Sequence, residues 1–313
     1  MIRVGVAGAE TLLAGELLRL LVHHPDVDLK NVYSPGMFGR KISNFHRGLT
    51  GDTDLKFSDK LELDDLDLLF IASDEDLFGQ NIEIPEGLKV IFIQSDENFT
   101  IKSPFDKLEF VPGVSEMYRK RLVRGAVASR ILSSPTSVAL IALFPLALHL
   151  LLNESVRIKV KYPEFLANNI SIEAMKKELE SILNEVQLSF HYIQEITVER
   201  YKTLRAISVE IEFPCSVSEE EIERIYNEIY DDHNFSFVVN TEPSPTEVSG
   251  THKCLIYVSK PDEKTVKVKA IADSVLRGGA GDAIHAMNLL FGLYEKIGLN
   301  LPASLAFKNQ HDI

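Results

Sequence analysis

Residues 1–23 read MIRVGVAGAETLLAGELLRLLVH. Ile2 to Ala7 is a short apolar run stopped by Gly8, and Gly15 to His23 follows with leucines at 17, 18, 20 and 21 on one helical face. A strand, a glycine turn and an amphipathic helix in that order make a βα unit, the building block of a parallel sheet. Working outward, Val27–Tyr33, Leu66–Ala72 (LDLLFIA) and Leu88–Gln94 (LKVIFIQ) read as three more strands, each followed by a polar turn. The first 130 residues therefore predict an α/β fold with a doubly wound parallel sheet, whose ligand crevice lies at the carboxyl ends of the strands.

Further along the pattern changes. Val138 to Leu152 is nearly all apolar, but it is interrupted by Pro145 and is shorter than the ~20 residues needed to span a bilayer, so it reads as a buried core helix. Beyond it, Val156–Lys161, Val186–Tyr192, Thr203–Phe213, Phe235–Val239, Lys253–Ser259 and Thr265–Ala272 read as strands. Charge-rich amphipathic helices near 171–185 and 218–231 separate them, which predicts a second, α+β domain with a mostly antiparallel sheet. Finally Gly278-Gly279-Ala280-Gly281 opens a helix from Asp282 to Tyr294, apolar on the face of Ile284, Met287, Leu290 and Phe291. No internal repeat is evident.

Composition restricts the partners. At 313 residues the chain has room for about two domains of ~150 residues. Its 33 basic against 46 acidic residues give −13, a surface that repels phosphate backbones and anionic lipid, so neither nucleic acid nor membrane is an expected partner. Cys215 and Cys254 are far apart and outside any CxxC pattern, which supports neither a disulfide framework nor a cysteine zinc site, and no metal site is expected. A reducing cytoplasm fits this usage. The first ten residues lack the apolar core of a signal peptide and read as the opening strand itself.

Several collinear segments resemble the N-acetyl-γ-glutamyl-phosphate reductase family, relatives of aspartate-semialdehyde dehydrogenase. VGVAGAETLLAGELLRLLVHHPDVDL (4–29) is similar to the family's nucleotide turn and first helix, and GRKISNFHRGLTGDTDLKF (39–57) to the segment after its second strand. HKCLIYVSKPDEKTVKVKAIADSVLRGGAGDAIHAMNLLFGLYEKIGL (252–299) is similar to the last strand pair, glycine turn and closing helix, with Gly278, Gly281, Met287, Asn288 and Phe291 in register. The resemblance implies a Rossmann-type NAD(P)-binding domain over 1–133, onto which a helix within 282–313 packs back, and a dimerisation and substrate domain over 134–281. It also implies NADP as cofactor and a homo-oligomer, dimer or tetramer. In the family a cysteine attacks an acyl phosphate, and hydride from NADPH reduces the resulting thioester to an aldehyde with a histidine as acid/base.

Against that chemistry the chain departs at several points. In SRILSSPTSVALIALFPLALHLLLN (129–153), counting back from Pro145 puts Ser134 at the nucleophile position, and aligning Pro135-Thr136 instead selects Ser133. A serine ester resists hydride reduction where a thioester accepts it. A serine ahead of an apolar helix is also a preferred N-cap. The family's glycine loop and histidine motif are missing between VRIKVKYPEFLANN (156–169) and SIEAMKKELESIL (171–183), which leaves His191 and His252 as candidates, each read more readily as a structural or surface histidine because nothing in sequence pairs it with a nucleophile or an orienting carboxylate.

The nucleotide turn Gly-x-x-Gly-x-x-Gly is here Gly8, Thr11 and Ala14, followed by Gly15. Alanine is accepted at the third position, whereas a β-branched Thr11 obstructs the backbone's approach to a pyrophosphate. Glu10 adds a carboxylate, which at ~5 Å from a phosphate charge and an effective dielectric of ~20 costs roughly 3 kcal/mol before screening. Ser73-Asp74-Glu75-Asp76 adds further acid at a strand's carboxyl end. Arg40-Lys41, after the second strand, is placed to meet a 2′-phosphate, and the Gly278–Gly281 turn to hold an anion, although Asp282 complements that helix dipole itself. The expectation is a family member by descent whose redox chemistry is degenerate, pairing with itself or with an active paralogue. The alternative is an active NADP-dependent reductase, or a non-redox enzyme, that uses substitute residues such as Ser134 and His252.

Overall fold

The computed structural model describes residues 1–73, 83–94, 101, 103–166, 170–190, 192–202 and 205–303. The chain divides into two compact units, the first comprising Met1–Ser133 and Gly278–Leu299, the second built on Ser134–Arg277.

The first unit starts with β1 (Ile2–Ala7), α1 (Leu12–Val22), β2 (Val27–Tyr33) and the single turn α2 (Ile42–Phe45). It continues through β3 (Leu68–Ile71), β4 (Lys89–Ile93), β5 (Phe110–Pro112), α3 (Ser115–Val123) and β6 (Ala128–Ile131). All six strands run parallel in the order β2-β1-β3-β4-β6-β5, the doubly wound arrangement expected from the sequence. Side chains alternate across this sheet: Leu69, Ile71, Val90 and Phe92 enter one apolar cluster with Leu66 and Phe105, while Leu68 and Phe70, equally buried, face the other way. The helix α1 starts at Leu12, three residues before the expected Gly15, because Thr11 caps it.

The second unit holds α4 (Ser134–Leu148), β7 (Val156–Pro163), α5 (Ile172–Val186), β8 (Ile193–Tyr201), β9 (Ala206–Pro214), α6 (Glu219–Tyr230), β10 (Ser236–Val238), β11 (Cys254–Asp262) and β12 (Thr265–Asp273). Its sheet has the order β10-β11-β12-β9-β7-β8, antiparallel in the middle and parallel at both edges. The expected strand at Val186–Tyr192 is not one. Val186 ends α5, the Gln187 N–H closes that helix on Leu183 O, and the buried Gln187 carboxamide accepts the Leu152 N–H, while Leu188 is 92 % exposed. The strand begins at Ile193 instead.

The apolar helix is as buried as expected but lies four residues earlier than Val138–Leu152, ending before Leu150, which takes a left-handed φ of 57°. Pro145 inside α4 has no N–H for the carbonyl four residues back, at Ile141. The buried Tyr230 hydroxyl, on α6, donates to that carbonyl, and Tyr226 donates to the next one, Ala142 O, at 2.5 Å. The helix defect and the two tyrosines are thus complementary.

The chain then returns to the first unit as α7 (Ala280–Leu290), shorter than the expected 282–294 because Phe291 caps it and Gly292 leaves it with φ 65°. Every residue of α7 is buried, and it packs against α1, α3, β4 and β6. Among the described residues no helix is long and apolar enough to cross a membrane.

Candidate functional site

The turn between β1 and α1 keeps one feature of a nucleotide turn and loses another. Gly8 has φ +73°, and a Cβ there would stand 2.3 Å from Ser73 Cβ and 2.9 Å from Ser73 N, so only glycine fits. The Gly8 and Ala9 N–H groups are turned to Tyr33 O. Thr11, three residues on, bridges the turn: its Oγ1 accepts the Ala14 N–H at 3.1 Å and donates to Ala72 O, just beyond β3, at 3.0 Å. The Gly15 N–H goes to Thr11 O, and a Cβ on Gly15 would meet the His46 ring at 2.5 Å. His46 Nε2 in turn donates to Ala9 O at 2.7 Å, which lays the segment after α2 across the turn. The Glu10 carboxylate has one buried oxygen, Oε2, with no hydrogen-bond partner. Of the acidic stretch beyond β3, Ser73 is buried, and residues 74–76 lie outside the described residues.

The basic pair after β2 is exposed. Lys41 is paired with Asp54 at 2.7 Å, and Arg40 reaches Met37 Sδ at 3.2 Å. At the second glycine turn Gly278 has φ +67°, Gly279 caps α7, and Gly281 lies within the first turn of α7. The buried Asp282 carboxylate accepts the Gly278 N–H at 2.7 Å, so this turn is already engaged by its own acid.

Of the candidate nucleophiles, Ser134 is the first residue of α4. It is 2 % exposed, and its Oγ is buried with no hydrogen-bond partner; Ser133, just before it, is 4 % exposed. Neither cysteine stands at this helix start. Cys254 is the buried first residue of β11, and Cys215 follows β9 with its carbonyl on Lys260 Nζ. His252 is 1 % exposed with its ring edge-on to Phe235, centroids 4.6 Å apart. Its loop is held by Asp273, which is fully buried and accepts the Gly250 N–H at 2.7 Å and pairs with Arg205 at 2.7 Å. Burial pushes the Asp273 carboxyl above the usual carboxylate range in spite of Arg205. His191 lies outside the described residues.

Two polar constellations escape sequence reading. Gln94, 1 % exposed at the end of β4, accepts from Arg130 Nη1 at 2.9 Å, while its own Nε2 is buried without a partner. In the same unit Ser115, His285 and Glu295 form a chain. Ser115 Oγ is 3.1 Å from His285 Nδ1, and His285 Nε2 is 2.8 Å from Glu295 Oε2. Arg119 holds the other oxygen of Glu295 through Nε at 2.7 Å and Nη2 at 2.5 Å. The hydrogen bond from His285, helped by Arg119, holds the Glu295 carboxyl down to about 2. The only local signal is Gly113-x-Ser115 at a strand-to-helix turn, because the partners are 170 residues away.

A doubly wound parallel sheet with a glycine turn after β1 is joined in one chain to a mixed-sheet unit, an architecture found in solved semialdehyde dehydrogenases. Aspartate semialdehyde dehydrogenase II from Vibrio cholerae has the same fold, with a TM-score of 0.68 at 13 % identity over 94 % of this chain and 99 % of that one. The structure of aspartate semialdehyde dehydrogenase with NADP from Candida albicans aligns with a TM-score of 0.60 at 13 % identity, over 93 % of this chain and 98 % of that one. The semialdehyde dehydrogenase NAD-binding domain profile matches residues 3–124. The N-acetyl-γ-glutamyl-phosphate reductase of Parabacteroides distasonis is 34 % identical over 97 % of this chain and 99 % of its own length, and that of Phocaeicola vulgatus 33 % over the same shares. The chain belongs to the N-acetyl-γ-glutamyl-phosphate reductase family.

Proposed function

We propose that this chain is a member of the reductase family that no longer reduces an acyl phosphate and serves as a binding or regulatory subunit. The observation that carries this reading is the start of α4, where the chain has Ser133 and Ser134 and no thiol, its two cysteines standing in β11 and after β9. Without a thiolate there is no thioester to accept hydride.

The nucleotide turn supports the same reading, since its residues do not fit a dinucleotide. Thr11 Oγ1 takes the Ala14 N–H, one of the donors that an α1 N-terminus would offer a pyrophosphate, and Glu10 sets a carboxylate beside it. With Lys41 already paired to Asp54, the exposed Arg40 is left to attract a 2′-phosphate.

The partner in this reading is a second copy or an active relative in the same reducing cytoplasm, met through the outer face of the mixed sheet. On that face charge alternates strand by strand: Glu195 and Glu199 on β8, Arg157 and Lys159 on β7, Glu210 and Glu212 on β9, and Lys267 and Lys269 on β12. Alternating rows are complementary to the same rows on a second copy shifted by one strand.

A second reading, an active enzyme with a serine nucleophile, is favoured by one observation only, the buried and unpartnered Ser134 Oγ at a helix N-terminus. One experiment separates the two. The purified chain is titrated with NADPH and NADH by nucleotide fluorescence, then assayed for phosphate-dependent reduction of NADP with the semialdehyde. The first reading expects no saturation at millimolar nucleotide and no turnover; micromolar binding with turnover lost in Ser134→Ala would replace it with the second.

A further inference from the structure

We propose that Ser115, His285 and Glu295 form a serine-hydrolase centre within the first unit, acting on a small activated ester. The proposal uses no residue of the β1–α1 glycine turn or of the start of α4, and does not depend on the reading of either.

The local architecture is that of a nucleophile presented by a strand-to-helix turn. β5 is parallel to its neighbour β6, its carboxyl end runs through Gly113 and Val114, and Ser115 is the first residue of α3. At Gly113 the Ile131 side chain packs against the backbone, its Cδ1 2.3 Å from where a Cβ would stand. Ser115 has no left-handed backbone angle, so the turn lacks the strain of the G-x-S-x-G elbow while sharing its placement.

The relay behind the serine is ordered. Arg119 occupies Oε1 of Glu295, which leaves Oε2 for His285 Nε2. An ionised carboxylate only accepts, so Nε2 carries a proton, and in the neutral ring Nδ1 is the acceptor beside the Ser115 hydroxyl. Glu116 Oε2, 3.2 Å from Ser115 Oγ, is a second acceptor for that proton at rest, and its charge favours the imidazolium formed in the reaction. Ser115 and His285 are 3 % exposed and Glu295 8 %, which restricts the proposed substrate to a small ester.

The balanced sequence uses an ester and water. Ser115 Oγ bonds to the acyl carbon as its proton passes to His285 Nδ1, and the ester C–O bond breaks with that proton going to the leaving alcohol. Water then attacks the acyl-serine, gives one proton to Nδ1, and releases the carboxylic acid as the proton returns to Ser115.

The test uses the full chain. Folded protein is treated with a fluorophosphonate probe, the adduct is mapped by peptide mass spectrometry, and p-nitrophenol release from p-nitrophenyl acetate is followed in parallel. The expected result is a single adduct on Ser115 that disappears when the protein is unfolded before labelling. Ester turnover should fall about 100-fold or more in Ser115→Ala, and labelling should slow at least tenfold in His285→Gln. Absence of an adduct on Ser115 in the folded wild type overturns the proposal, as does equal labelling of folded His285→Gln. Should that variant not fold, the unfolded wild-type control decides, since a serine that labels equally well without its fold has no relay.

Discussion

Thr11 Oγ1 stands 3.0 Å from Ala72 O and 3.1 Å from the Ala14 amide nitrogen, so a single hydroxyl joins the end of the β3 segment to the first turn of α1. Replacing it with glycine costs the helix only a few tenths of a kcal/mol as a cap, yet clears the approach to the α1 N-terminus. The double variant Glu10→Ser/Thr11→Gly is expected to gain at least tenfold in NADPH affinity over the wild type, because removing the carboxylate alone relieves up to roughly 3 kcal/mol of repulsion before screening. Calorimetry on both proteins at equal salt checks this; equal heats would show that another feature closes the site.

The tyrosine pair on α6 gives a stability prediction. Tyr230→Phe leaves the Ile141 carbonyl buried and unbonded, with an expected loss of about 1–3 kcal/mol. Pro145→Ala restores an N–H four residues along, so in the double variant the Tyr230→Phe loss should shrink by about 1 kcal/mol or more. Denaturant unfolding followed by circular dichroism, run as a double-mutant cycle, measures the coupling; strict additivity would deny the complementarity.

Glu295 sets an acid limit. Its carboxyl is lowered from 4.5 to about 2, chiefly by the hydrogen bond from His285. A lowered folded-state value means stability that is fully present above the unfolded value near 4.5 and is lost as pH falls toward 2, amounting to roughly 3 kcal/mol in all. The difference in unfolding midpoint between wild type and Glu295→Gln should therefore be constant from pH 5 to 7 and narrow below about 4.5.

His24 acts in a milder range. It is buried, its Nε2–H donates to Asn288 Oδ1 at 3.2 Å, and its Nδ1 accepts the Asp26 N–H at 3.3 Å, so the neutral ring is fully bonded. Burial holds it below its ordinary value of 6.5 even with Asn288 opposing. Its contribution is complete above pH 6.5 and declines as pH falls through that range, so His24→Gln should flatten the fall in urea midpoint between pH 7.5 and 5.5. Gly298 packs on the same ring with φ +72°, where a Cβ would stand 2.5 Å from His24 Cδ2. Gly298→Ala is expected to lower stability at every pH, by about 1–3 kcal/mol.

The β1 strand was readable to the residue because an apolar run and a left-handed glycine bound it, both of them local causes. Val186, Leu188, Phe190 and Tyr192 alternate like a strand and are not one, because the α5 helix has its own buried stripe to complete at Leu183 before the chain turns. The place of Thr11 at the helix start was legible, since the glycine turn before it and the leucines after it bound the position. Its hydrogen bond to Ala72 was not, and neither was the Ser115–His285–Glu295 chain: these contacts join residues 61 and 170 apart, and only the stacking of α3 and α7 on one sheet creates the second.

The discontinuity of the first unit has a consequence for biogenesis. β4 and β6 are sealed by α7, which leaves the ribosome only after the whole of Ser134–Arg277 has been made. At about 5–20 residues per second, the nascent parallel sheet waits on the order of ten seconds with that flank uncovered. The strands of the second unit are contiguous in the chain and all emerge before α7, so that unit is free to fold while the first still lacks its last helix.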